Sequence, residues 1–168
     1  LDQALVDGAI YDAGLMSWSS IVVPDNLLPA RYNHTSVWTG TEMIVFGGNG
    51  AGGGVLASAA RFDPAVGWVV ANAPASDARA DHTALWFGNP VNLMVVWGGT
   101  GAGGALATGR TFNPNTAKWN AAGLPQAPSA RSRHVAVAAA GSKMIIWGGK
   151  GPGGFLGDGA ILDLTKVP

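Results

Sequence analysis

Residues 31–68, RYNHTSVWTGTEMIVFGGNGAGGGVLASAARFDPAVGW, decide the fold because the chain repeats this stretch. A second copy starts at Arg79, and a shorter third copy starts at Arg131. The spacing of about fifty residues is typical of propellers and solenoids. The positions that recur in register are Arg31, Arg79 and Arg131; His34, His82 and His134; Met43, Met94 and Met144; Gly47, Gly48, Gly98, Gly99, Gly148 and Gly149; and Trp18, Trp68 and Trp119.

Composition indicates a folded domain and gives no sign of a nucleic-acid or anionic-membrane partner. The chain has 168 residues, 48% of them hydrophobic, and ten basic residues balance ten acidic ones. No block of like charge occurs, which argues against binding to nucleic acid or to an anionic membrane surface. Gly or a charged residue interrupts every apolar run before it reaches the roughly 18 residues of a membrane span. Cysteine is absent, which excludes a disulfide framework and a thiolate metal site. We also predict no other metal site and no cofactor.

Each full copy of the repeat predicts four short strands. The first lies around residues 34–38, the second at 43–46, the third at 56–62, and the fourth begins at Trp68. The shortened third copy predicts three strands, and two further strands at residues 4–11 and 17–23 bring the total to about thirteen. No segment combines a helical period with freedom from Gly and Pro, so no helix is predicted. The second strand of each copy is apolar on both sides, which requires cover on both faces and therefore sheets that stack face to face.

The ordered set of Arg, His, MIVFGG, Gly-rich loop, FDP and Trp resembles the kelch repeat, in the form found in bacterial proteins similar to the central region of galactose oxidase. The resemblance implies an all-β, kelch-type β-propeller, here a partial ring of about three four-stranded blades. We expect a single kelch segment over residues 1–168, with a half blade at 1–30, blades at 31–78 and 79–130, and an incomplete blade at 131–168. The third copy departs from the pattern, since Leu162-Asp163-Leu164 stands where Phe-Asp-Pro is expected.

Closure of such a ring is a separate question. Closed propellers have about four to eight blades. Three alternatives are open: the remaining blades belong to the same, longer protein; a second copy supplies them; or the blades form an open stack.

One rim of the predicted ring carries the candidate binding residues. In an up-and-down meander, the loop after the second strand and the link to the next blade emerge on the same side. The Gly-rich loops and the arginine segments therefore share a rim, and the kelch resemblance implies that this rim is the binding face. The repeated arginines either bind a carboxylate or sulfated ligand or tie one blade to the next through backbone carbonyls. The candidate ligand-binding residues are Arg31, Arg79, Arg131, Arg133, Asn49, Thr100 and Lys150.

The last four of these residues are chosen because the copies differ there. Asn49, Thr100 and Lys150 occupy one loop position, and Asn33, Asp81 and Arg133 occupy the position before the histidines. Polar groups that break the repeat symmetry on a shared rim can create a specific site. The recurring histidines are interpreted as hydrogen-bonded strand residues, and the tryptophans as packing between blades.

No catalytic constellation is recognisable, so the sequence predicts a non-catalytic module that binds a protein or a glycan. We expect it to be part of a larger exported bacterial protein, extracellular or periplasmic, or to be completed by a second chain. A carbohydrate-active kelch enzyme such as a sialic-acid mutarotase is one alternative, although Glu42, the only Glu present, lies on the opposite rim. A structural, self-assembling component is another. Galactose oxidase chemistry needs a Cys joined to a Tyr and is excluded.

Overall fold

The structure, a computed structural model, describes residues 4–120 and 128–166 and is all-β in this part of the chain. Two three-residue 3₁₀ turns, Ala75–Asp77 and Leu164–Lys166, are the only helical segments there. The strands are β1 (Gly8–Asp12), β2 (Ser17–Ile21), β3 (Arg31–Tyr32), β4 (Thr35–Trp38), β5 (Met43–Phe46), β6 (Asn49–Gly50), β7 (Ala59–Asp63), β8 (Gly67–Val70), β9 (Thr83–Phe87), β10 (Leu93–Trp97), β11 (Thr100–Gly101), β12 (Gly104–Ala105), β13 (Gly109–Asn113), β14 (Lys118–Trp119), β15 (Val135–Ala139), β16 (Lys143–Trp147), β17 (Lys150–Gly151), β18 (Gly154–Phe155) and β19 (Gly159–Asp163).

The principal strands form antiparallel meanders. Blade 1 has the order β4-β5-β7-β8, and in blade 2 the strands β9, β10, β13 and β14 follow each other in the same way. Blade 3 contains β15-β16-β19, and β1 and β2 form an N-terminal hairpin. In the described residues these sheets contain the thirteen strands that the sequence predicts. The third strand of blade 1 begins at Ala59 rather than Leu56, because the Leu56 N–H donates to Gly48 O, 2.8 Å away, within the preceding loop.

The blades stack face to face, as the apolar second strands predict. From blade 1, Ile44 and Phe46 pack against Met94, Val96 and Phe112 of blade 2 in one core cluster. On the opposite face of blade 2, Val95 and Trp97 of β10 form a second cluster with Met144 and Ile146 of blade 3. Each of these side chains is nearly inaccessible to solvent. Burial of one such side chain stabilises the fold by about 1.5–3 kcal/mol, so the two clusters hold the three blades together.

The outer face of blade 3 differs from the corresponding faces of blades 1 and 2. Ile145 and Trp147 align with the buried pairs Ile44 and Phe46 of blade 1 and Val95 and Trp97 of blade 2, yet Trp147 is 58% exposed. Along β16, exposed and buried residues therefore alternate. This face presents to solvent the same apolar surface that the other two blades bury.

Candidate functional site

Backbone pairing builds one rim from the links between blades and the Gly-rich loops, as the meander predicts. Arg31 pairs with Gly50 in the β3–β6 ladder, and isolated bridges join Ala80 to Thr100 and Ser132 to Lys150. Adjacent blades are also linked here, because the Gly48 N–H donates to Arg79 O at 2.8 Å and the Gly99 N–H donates to Arg131 O at 2.9 Å. The rim is thus a continuous, hydrogen-bonded structure rather than a set of independent loops.

The three repeated arginines are buried inside this rim. Arg79 Nη1 donates to the carbonyl oxygens of Gly98 (3.1 Å) and Thr108 (2.8 Å). Arg31 and Arg131 make the corresponding contacts, to Gly47 and Ser58 and to Gly148 and Asp158. Of the two interpretations of these arginines, this geometry supports the structural one, with a difference. Each side chain binds carbonyls of its own blade, whereas the backbone N–H and C=O groups of Arg79 and Arg131 bond to the preceding blade. A ligand-binding role for Arg31, Arg79 and Arg131 stays a prediction.

The repeated histidines join one blade to the next. His82 Nε2 lies 2.7 Å from Thr35 Oγ1 of blade 1, and His134 Nε2 lies 2.8 Å from Thr83 Oγ1 of blade 2. Both histidines are 6% exposed. The sequence reasoning placed them inside strands, but each lies one residue before its strand, where the ring can point across the gap between blades. In the described residues, no group of three metal-binding side chains occurs.

Burial also lowers the pKa values of these two histidines. Desolvation, followed by the nearby charge of Arg79, lowers the pKa of His82 to about 3. Desolvation and Arg131 lower the pKa of His134 to about 4. Both imidazoles are therefore neutral in the folded protein at any pH above about 5.

We predict that acidification destabilises the fold through these two groups. In the unfolded chain the two histidines bind protons below about pH 6.5, whereas in the folded chain they do not until about pH 4. Their full contribution to the free energy of unfolding is therefore present above pH 6.5 and is lost as the pH falls. Between pH 7 and 5, each histidine should remove about 2 kcal/mol from the free energy of unfolding. Urea titrations at several pH values would measure this. A His82→Gln, His134→Gln variant should lose most of the pH dependence, and an unchanged dependence would contradict the prediction.

The tryptophans pack against aromatic neighbours within and between blades. The ring of Trp68 lies 5.0 Å from that of Phe62 in the same blade. Trp119 contacts Phe112 of its own blade and Phe46 of blade 1, with ring centroids 5.0 and 4.8 Å away. Trp18 pairs with Tyr11 on the N-terminal hairpin, where it is 70% exposed.

A row of residues in the left-handed backbone conformation crosses the three blades on the rim. Asn33, Asp81 and Arg133 have φ angles of 54°, 54° and 55°. Backbone hydrogen bonds connect them, from the Asp81 N–H to Asn33 O and from the Arg133 N–H to Asp81 O. Asn and Asp tolerate this conformation, whereas for Arg it is uncommon. The left-handed position is thus a feature of every repeat, and in the third repeat it is occupied by Arg133.

A groove of about 420 Å³ lies at that junction. We call it the rim groove; its walls include Asp81, Thr100, Gly103, Gly104, Ser132, Arg133, Lys150 and Pro152. Arg133 is 70% exposed, and its Nε lies 3.3 Å from Asp81 Oδ1. Lys150 is also exposed. The structure thus brings Thr100, Arg133 and Lys150 together and leaves Asn49 on the loop of blade 1, outside this groove.

Sequence reasoning missed the ion pair between Asp81 and Arg133. The signal was present, because the column Asn33, Asp81, Arg133 puts opposite charges in successive repeats. Glu42, in contrast, lies between β4 and β5, away from this rim, where Arg61 Nε binds its carboxylate at 2.9 Å. That ion pair is local to blade 1 and has no connection with the rim groove.

Four-stranded meanders stacked face to face around buried second strands define the blades of a β-propeller. A family model described as the KLHDC2/KLHL20/DRC7 Kelch-repeats domain matches residues 2–167. The chain therefore belongs to the kelch-repeat family, whose domains are generally non-catalytic, protein-binding propeller modules. A comparison with curated protein sequences found no match. No helix in the described residues is long and apolar enough to cross a membrane.

Proposed function

We propose that this kelch domain binds an acidic segment of a partner protein in the rim groove. The observation that supports the proposal is the convergence of Thr100, Arg133 and Lys150, at positions where the repeats differ, on one groove between blades 2 and 3. The ion pair with Asp81 uses Arg133 Nε. The terminal nitrogens of Arg133 are then available for a bidentate contact with a carboxylate, which is the strongest interaction that a guanidinium makes.

The groove is cationic in a chain whose net charge is zero. Arg133 and Lys150 outnumber Asp81, and the equivalent positions between blades 1 and 2 are Asn33, Asn49, Asp81 and Thr100, with no basic residue. The asymmetry favours an anionic ligand at one junction only. An anionic ligand that enters a groove of this kind is attracted by both cations, and the attraction weakens as salt increases.

We predict that a variant carrying Arg133→Asn and Lys150→Thr loses this binding and keeps its fold. The new residues are those found at the same positions of other repeats, Asn33 and Thr100. Asn also tolerates the positive φ at position 133. Selection from a library of displayed short peptides should enrich Asp- and Glu-containing sequences on the native protein. The affinity of these peptides for the variant should fall by about tenfold or more.

The control is the thermal unfolding midpoint, which should be unchanged in the variant. Equal affinity of native and variant protein for the selected peptides would contradict the proposal. Binding of sialylated glycans, with no enrichment of acidic peptides, would assign the rim to a glycan ligand and would also contradict it.

A further inference from the structure

A second groove, of about 280 Å³, lies between blades 1 and 2 on the rim opposite the Gly-rich loops. We call it the turn groove, because the turns between first and second strands and between third and fourth strands form much of its wall. Blade 1 contributes Glu42, Arg61 and Asp63, and blade 2 contributes Trp86, Asn92 and Asn115. The β4–β5 turn lies at the other end of β5 from Gly47 and Gly48, so the turn groove is separate from the rim groove.

The blade 1 wall of the turn groove carries polar groups that the fold does not use fully. Arg61 Nε donates to both carboxylate oxygens of Glu42, at 3.0 and 2.9 Å. In the described part of the chain, the two terminal nitrogens of Arg61 have no acceptor. Asp63 Oδ1 accepts the Ala65 N–H at 2.7 Å, whereas no described donor reaches Asp63 Oδ2. The wall therefore offers hydrogen-bond donors and acceptors within one groove.

Trp86 provides an aromatic wall on the blade 2 side. The residue lies in β9, is half-buried, and packs against the core cluster that blades 1 and 2 share. The core thus supports the side chain that lines the groove. An indole ring held in this way can stack on an apolar face of a ligand.

Of the two junctions between the described blades, only this one combines an ion pair with an aromatic ring. The residues at the same repeat positions of the junction between blades 2 and 3 are Leu93 for Glu42, Thr111 for Arg61 and Ala138 for Trp86. The scaffold does not require a position that differs between copies to be Trp, Glu or Arg. Such positions are where a repeat fold can acquire a specific site.

We propose that the turn groove binds a neutral sugar residue of a glycan. A sugar ring has a face of C–H groups that stacks on the Trp86 indole, and its hydroxyl groups both donate and accept hydrogen bonds. The terminal nitrogens of Arg61 donate to hydroxyl oxygens, and Asp63 Oδ2 accepts from a hydroxyl group. The side-chain amides of Asn92 and Asn115 can do both.

The size and charge of the turn groove favour a neutral sugar over other ligands. Its volume is just below the roughly 300–1,000 Å³ of pockets for drug-sized molecules, which suits a single sugar residue. The carboxylates of Glu42 and Asp63 outnumber the one guanidinium group in the groove, which disfavours an anionic ligand. Arg61 in the same wall disfavours a cationic one.

Nuclear magnetic resonance titrations with cellobiose, lactose and mannobiose, at millimolar concentrations, test the proposal. We expect at least one of these disaccharides to shift the Trp86 indole N–H resonance saturably. Trp86→Leu keeps an apolar side chain against the core and should weaken that binding by about tenfold or more, since the aromatic face is lost. Trp38→Leu is the matched control, because Trp38 occupies the same repeat position but is 52% exposed and outside the groove. It should leave the affinity unchanged.

Asn115→Ala is a second variant, at an exposed turn position where the native fold should be kept. Loss of its amide should weaken disaccharide binding by about threefold or more, with an unchanged unfolding midpoint. Absence of saturable shifts with all three disaccharides would overturn the proposal, as would native affinity in the Trp86→Leu or Asn115→Ala protein. Sialyllactose is the matched anionic probe, and tighter binding of sialyllactose than of lactose would contradict a neutral ligand.

The turn groove and the rim groove can be tested separately. The rim variant with Arg133→Asn and Lys150→Thr should bind the disaccharides normally, and Trp86→Leu should leave the affinity for acidic peptides unchanged. Disaccharide binding that is lost in the rim variant and kept in Trp86→Leu would assign the sugar to the rim groove and would overturn this proposal. Failure of one site therefore leaves the test of the other intact.

Discussion

Arg79→Ala should lower the free energy of unfolding by about 4 kcal/mol, among the largest effects expected for one substitution. The residue is 1% exposed, and its guanidinium group donates to the carbonyl oxygens of Asp77, Gly98 and Thr108. Truncation leaves these acceptors without their donor, at about 1–3 kcal/mol for each one that stays buried, and it also creates a cavity. Denaturant titration with native and variant protein would measure the loss.

Two further variants serve as controls for Arg79→Ala: the conservative substitution Arg79→Lys, and Arg133→Asn at an exposed arginine. Lysine keeps the charge but cannot reproduce the planar set of donors, so it should recover only part of the stability. Arg133 belongs to the next repeat but is 70% exposed, and Arg133→Asn should change stability by less than about 0.5 kcal/mol. If Arg79→Ala were as mild as Arg133→Asn, the buried arginines would not be the structural ties that the geometry indicates.

Gly98→Ala should cost about 2 kcal/mol more than Gly148→Ala, although the two glycines occupy the same repeat position. Their φ angles are 65° and 68°, so both substitutions carry the same backbone strain of about 1 kcal/mol. A Cβ at Gly98 would lie 2.7 Å from His134 Cε1 and 2.8 Å from Arg131 O. At Gly148 the nearest atom would be Leu156 O, 3.7 Å away. The difference therefore measures the contact between blades 2 and 3.

Urea unfolding of the two alanine variants would give both values under one set of conditions. Gly52→Ala is a further control, because that glycine has no positive φ and its added Cβ would meet open space. It should leave stability almost unchanged. Equal losses in Gly98→Ala and Gly148→Ala would mean that the His134 ring does not pack on blade 2.

The repeat itself made most of the fold predictable. The two-sided apolar character of residues 43–46 and 93–97 required stacked sheets, and Ile44, Phe46, Val95 and Trp97 are buried in the two core clusters. The register of Gly-rich loops and arginine segments predicted a shared rim. These features follow from local patterns within one repeat. Because the chain contains three copies of the repeat, each pattern can be recognised three times in the one sequence.

Features that depend on the offset between blades could not be predicted in the same way. The opposite charges of Asp81 and Arg133 are visible in the repeat column, but whether the two side chains meet depends on how far blade 3 is rotated from blade 2, which no pattern within one repeat reports. The same holds for His34, whose sequence context matches that of His82 but whose exposure is different. Identical motifs therefore acquire different roles according to what lies beside them.

Successive blades stack face to face, and each histidine of blades 2 and 3 contacts a threonine of the preceding blade. Nuclear Overhauser contacts measured across the assigned spectrum would test this arrangement most directly. The stacked structure predicts cross-peaks between the His82 imidazole and the Thr35 side chain, and between the His134 imidazole and the Thr83 side chain. Cross-peaks confined to each histidine's own repeat would contradict the stacking and, with it, the rim groove that lies between blades 2 and 3.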